Sequence, residues 1–124
     1  MSITRGIEIL KKDPAKERPL GSRPCVSWKN RDLDMWIREY VFDKMDTTTY
    51  REGPEYYSCT IPKEQLLQMA DDLVNRRFEL CPDYCEYFHA HDLEDCGPRY
   101  GGFFRELADD LQDDEVLVYY DAGD

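Results

Sequence analysis

Three stretches of this chain return apolar residues at steps of three and four, and short aromatic or β-branched runs lie between them. These two periods constrain the fold most, because a 3.6-residue stripe and a two-residue alternation need different backbones. Leu33, Trp36, Ile37, Tyr40, Val41 and Met45 form the first stripe and predict a helix over 31–45, with Asn30 as its N-cap. Leu66, Leu67, Ala70, Leu73, Val74 and Phe78 form the second. Here Pro62 is expected as the first helical residue, Glu64 near the positive end of the dipole, and Arg76 and Arg77 at the end. Phe103, Phe104, Leu107, Ala108 and Leu111 form the third stripe, on a helix expected to begin after Gly101-Gly102.

Strands are expected at 3–10, 24–28, 56–61 and 115–120. Thr47-Thr48-Thr49 and Gly53-Pro54 read as a loop. Residues 11–24, rich in Lys, Arg, Pro and Gly, read as an exposed arm or loop. A compact segment runs from Cys81-Pro82 to Cys96-Gly97-Pro98, with a short helix from Asp83 to His89. The sum is an α+β domain, a small sheet of a few short strands packed on one side against three to four helices. A chain of 124 residues fits one domain, 1–124.

Charge is distributed unevenly. Residues 1–77 hold 14 Lys/Arg and 13 Asp/Glu, whereas residues 78–124 hold 2 and 14, so the whole net charge of -11 arises in the second part. Such a field repels nucleic acid and anionic lipid and attracts basic protein surfaces. Along the last helix, Glu106, Asp109, Asp110 and Asp113 fall at i, i+3, i+4 and i+7, opposite the apolar stripe. Neighbours at these steps have Cβ atoms roughly 5–6 Å apart, a spacing like that of successive phosphates on one nucleic-acid strand. Like charges so placed weaken a helix, so stability alone would favour interspersed Lys or Arg. The plain reading is a solvated, solubilising face. The functional reading is a surface that docks on a basic partner, extended by Glu94, Asp95, Asp114 and Glu115.

Cys81, Cys85, His89, His91 and Cys96 gather both histidines and three of the five cysteines into one short segment. On a helix Cys81, Cys85 and His89 would share a face, and zinc takes four such ligands in a tetrahedron. The spacing matches no standard zinc module, and thiols of this kind are often simply buried. The two options are a zinc-stabilised adaptor and no cofactor at all. The H-x-E and P-C-x-x-C pattern of zinc deaminases is absent. So are a P-loop, a G-x-G-x-x-G after a strand, a G-x-S-x-G and an EF-hand loop. A thiol-dependent enzyme without a known signature is the remaining alternative, and no catalytic residue is assigned. An odd number of cysteines cannot pair completely within one chain, which suits a reducing compartment. Without an apolar run of membrane length or a leader-like start, the expected location is cytoplasmic.

Several of these segments together resemble short, functionally uncharacterised proteins of bacteriophages and mobile elements. The resemblance spans about residues 31–120. It rests on Trp36-Ile37-Arg38-Glu39-Tyr40-Val41, on Tyr56-Tyr57-Ser58-Cys59-Thr60-Ile61 followed by Lys63-Glu64-Gln65-Leu66, on Gly102-Phe103-Phe104, and on Val118-Tyr119-Tyr120. The Cys/His segment, Pro62 and the acidic end depart from it. It carries no catalytic residues across. It implies a viral setting, in the host cytoplasm, where small acidic proteins inhibit host machinery including restriction and CRISPR nucleases. The expected function is therefore inhibition of a basic, nucleic-acid-handling host protein by nucleic-acid mimicry, with no direct binding of nucleic acid or membrane.

Overall fold

The computed structural model describes residues 3–13, 24–78 and 90–123. Five strands, β1 (Ile3–Lys11), β2 (Cys25–Trp28), β3 (Thr48–Gly53), β4 (Tyr56–Ile61) and β5 (Glu115–Gly123), form one antiparallel sheet in the order β2-β1-β5-β4-β3. Helices α1 (Arg31–Lys44), α2 (Lys63–Val74) and α3 (Ala90–Asp109) pack on one face of it. The fold is α+β, as expected. Among the described residues no helix is long and apolar enough to cross a membrane.

The strand alternation decides which side chains meet the helices. Ile7 and Ile9 of β1, Leu117 and Tyr119 of β5, and Cys59 and Ile61 of β4 face them and are buried. Register places Ile7 beside Tyr119 and Cys59 beside Tyr119, so these residues form one apolar row across the sheet. Leu33, Trp36, Ile37, Tyr40 and Val41 close that row from α1. Asn30 caps α1, its Oδ1 accepting from the Leu33 amide at 3.0 Å.

Pro62 occupies the N-cap of α2 instead of its first helical position, and its carbonyl accepts from Leu66 at 3.0 Å. The helix ends at Val74, short of Arg77, because the chain turns left-handed at Arg76 (φ 57°). The Arg77 amide then donates to Asp72 O at 2.8 Å and the Arg76 amide to Leu73 O at 3.3 Å. This is a Schellman closure, with arginine where glycine is usual. It sends the Arg77 side chain back to Asp71 and Asp72. Tyr40 Oη donates to Asp72 Oδ2 at 2.9 Å, so this buried carboxylate ties α1 to α2.

The region read as a loop around Thr47–Pro54 contains a strand. β3 and β4 form a hairpin around Pro54-Glu55, with a bulge between Thr49 and Arg51. A bulge opposes two residues to one, and Tyr50 at this point reaches the Lys11 carbonyl at 3.3 Å, past β4 and β5. The last helix also differs from expectation. It begins at Ala90, and Cys96-Gly97-Pro98 and Gly101-Gly102 lie within it. The glycines serve close packing: a Cβ on Gly101 would stand 2.6 Å from Val74 Cγ2 and 2.8 Å from Ala70 O. A Cβ on Gly97 would stand 3.0 Å from Phe78 Cζ. α3 thus lies against α2 at a distance that any larger residue would increase. Most of the expected arm, 14–23, and the expected short helix, 83–89, lie outside the described residues.

Candidate docking surface

Of the carboxylates singled out in the sequence, all but Glu115 reach the surface; Glu115 is buried beneath Lys11 and does not extend the face. Glu94, Asp95, Glu106, Asp109, Asp110, Asp113 and Asp114 are exposed. Their arrangement differs from a single helical row. α3 ends at Asp109; Asp110 still donates its amide to Glu106 O at 3.1 Å, and Asp113 and Asp114 sit in the turn that leads to β5. Asp113 therefore does not continue the helix face. Glu106, Asp109 and Asp110 cluster at the carboxyl end of α3, while Asp95 stands about 16 Å upstream of Glu106 at ~1.5 Å per residue. Arg99, two turns before Glu106 and on the same face, is the cation among them, its guanidinium 5.5 Å from the Tyr100 ring centroid.

The acids divide by partner. Asp114 and buried Glu115 both pair with Lys11 Nζ, at 3.1 and 3.4 Å. Glu94, Asp95, Glu106, Asp109, Asp110 and Asp113 form no ion pair among the described residues. The last turn of α3 carries no basic residue. Carboxylates at that end meet the negative pole of the helix dipole, which costs about 0.3–1 kcal/mol each in exposed positions.

Phe103 is the second correction on this helix. It was expected in the buried stripe with Phe104, and it is 41% exposed. Its ring meets Tyr100 edge-on, with centroids 5.4 Å apart. Phe104 is fully buried, 5.7 Å edge-on from Trp28. Phe103 and Tyr100 border a groove of about 490 Å³ with Leu107, Glu106 and Asp110 on one side and Pro24, Cys25, Val26 and Ser27 on the other. β2 is the edge strand of the sheet, so the groove runs between a strand edge and the acidic end of a helix. Sequence reasoning did not identify β2 as an edge. Its shortness and the proline before it are the available signal.

The metal candidates are divided differently. Cys81, Cys85 and His89 lie outside the described residues, as does the side chain of His91. Cys96 is buried on α3, within the hydrophobic core. Among the described residues, no three His, Cys, Asp or Glu side chains converge as metal ligands. Of the other thiols, burial pushes the pKa of Cys59 up, and burial also raises that of Cys25, whose Sγ lies 3.4 Å from Tyr120 Oη. Nucleophilic thiols need the opposite shift.

A second polar cluster sits on the helix-facing side of the sheet, at the Trp28 end of β2. Arg5 bridges Asp34 and Asp121, and Trp28 Nε1 donates to Asp34 at 2.8 Å. Burial works against the charge on Arg5, but its bond to Asp121 and the proximity of Asp34 outweigh that and raise its pKa. The cluster is internally satisfied and reads as structural. Beside it the Tyr119 hydroxyl is buried with no hydrogen-bond partner among the described residues. Compared with protein-family models, with curated proteins and with solved structures, the chain finds no match in any of the three.

Proposed function

We propose that the protein is a binding protein whose acidic end of α3 docks on a basic, nucleic-acid-handling partner, with carboxylates standing where phosphates would. The observation that supports this reading most is the set of six exposed carboxylates with no ion pair among the described residues, three of them gathered at a helix end that disfavours them. Asp34, Asp72 and Asp121 are held by arginine, while exposed Asp43, Glu52, Glu55 and Glu64 also form no ion pair among the described residues, so it is the gathering at one helix end that sets the α3 acids apart. Phe103, exposed beside Glu106 and Asp110, adds the apolar contact that charge alone lacks. In the viral setting that the sequence resemblance implies, such docking would inhibit a host-defence nuclease, including a CRISPR nuclease.

The test is capture of partners from bacterial lysate on immobilised protein, elution in a salt gradient, and competition with duplex DNA. The expected outcome is a basic partner released at moderate salt and displaced by the duplex. Replacing Asp109, Asp110 and Asp113 together with Asn weakens that capture and flattens its salt dependence. Unchanged affinity in the triple variant would remove the reading.

A further inference from the structure

The groove between β2 and α3 has a more specific geometry than an acidic surface. Residues from both faces of β2 border it, since Val26 packs toward the helices while Cys25 and Ser27 point the other way. A groove bordered by both faces of a strand lies at the strand's edge. β2 bonds to β1 on its inner side and is the last strand of the sheet among the described residues. Its outer row of N–H and C=O groups therefore faces the groove, a template for one more strand.

The dimensions agree. Four residues of β2 span about 13 Å at ~3.3 Å each. From Tyr100 to its end at Asp109 α3 covers about 14 Å at ~1.5 Å each. The opposing wall is mixed: Tyr100, Phe103 and Leu107 are apolar, while Glu106, Asp110 and the carboxyl pole of the helix favour cations.

The geometry points to an occupant of defined chemistry: an extended segment of a partner protein, added as a sixth strand along β2, with Lys or Arg and apolar side chains facing α3. The inference rests on the docking reading above and names what the surface takes. Backbone pairing supplies the register, and side chains at every second position meet α3. The charge complementarity that selects the occupant is local to this groove, since Glu106 and Asp110 lie on its wall and have no ion pair among the described residues.

The probe is an acetylated and amidated eight-residue peptide, Lys-Thr-Val-Thr repeated twice, whose every second side chain is alternately Lys and Val so that both face α3; it is titrated at low salt into the full isotope-labelled chain. Its partner is the same peptide N-methylated at every second residue, which keeps the charge and removes backbone donors along one edge. Strand addition predicts shifts in the backbone amides of Cys25–Trp28 together with those of α3. It also predicts at least a tenfold loss of affinity for the peptide methylated on the pairing edge, and a similar loss with Glu106→Lys. Equal affinity for methylated and unmethylated peptides, or shifts confined to α3, would overturn strand addition while leaving acidic docking intact. Absence of any binding, or a dimer of the free protein that occupies the β2 edge in sedimentation and amide exchange, would overturn it as well. The docking reading fails separately, when the Asp109/Asp110/Asp113 variant captures the same partner with unchanged salt dependence.

Discussion

Phe103 and Phe104 are neighbours in sequence and opposites in structure. Phe104 is fully buried against Trp28, on the side of α3 where Gly97 and Gly101 let the helix lie close against α2. Phe103 faces outward, in the company of Glu106 and Asp110. One side of the helix is packed so closely that a methyl group does not fit. The other carries an exposed ring and carboxylates that weaken the helix end. The contrast separates residues placed for stability from residues that stability does not explain.

The largest effect expected is on the packed side. Phe104→Ala should cost about 3–5 kcal/mol, the range for deleting a buried aromatic ring, read from urea unfolding. A cost under about 1 kcal/mol, well below that range, would mean the packed side is not packed. Gly101→Ala should follow at about 1–3 kcal/mol, because its Cβ meets a backbone carbonyl oxygen and the stiff, β-branched side chain of Val74.

Tyr119 extends the packed side, since Trp28 stacks on it with centroids 6.4 Å apart. Its unpartnered hydroxyl makes Tyr119→Phe an expected gain of about 1 kcal/mol. Burial, with Asp34 and Asp121 adding, raises its pKa. The folded protein thus keeps this proton when the unfolded chain loses it, near the ordinary value of about 10. Stability is accordingly lost as pH rises through that value, and the advantage of the Phe variant should widen there. Denaturant midpoints across alkaline pH give the answer, and a constant difference would contradict the sign.

On the exposed side the expected effects on folding are smallest. Phe103→Ala should cost under about 1 kcal/mol, as surface changes do, and replacing Asp109, Asp110 and Asp113 with Lys should gain a few tenths. Either change should still weaken partner capture. A Phe103→Ala variant as unstable as Phe104→Ala would erase the distinction between the two sides.

Much of this was legible in the chain. The stripes of α1 and α2 were visible because burial repeats with the helical period, and the acidic residues of α3 lie outside because unpaired charge is not buried, whereas Glu115, also expected on that face, is buried where Lys11 pairs with it. β3 escaped because its residues are mostly exposed, so an edge hairpin of Thr, Arg and Glu shows no apolar alternation. α3 was read as too short because glycine and proline usually punctuate. Only the nearness of Ala70 and Val74, a tertiary fact, shows why glycine belongs there. Phe103 was assigned to the core because periodicity alone does not fix where an apolar stripe ends. The groove combines β2 with α3, segments far apart in sequence, and no local pattern reports that meeting.

The strand order also bears on how the chain reaches this structure. β1 with β2 and β3 with β4 are sequence neighbours that pair locally, yet both pairs are held together by β5, which enters between them. Ile7 pairs with Tyr119 across more than a hundred residues, a loop whose closure is entropically expensive. Insertion of β5 is therefore the step expected to set the folding rate, on the millisecond-to-second scale typical of non-local sheets. Until it happens, the two strand pairs expose the edges that β5 will cover, and the chain is then most open to pairing with the wrong strand.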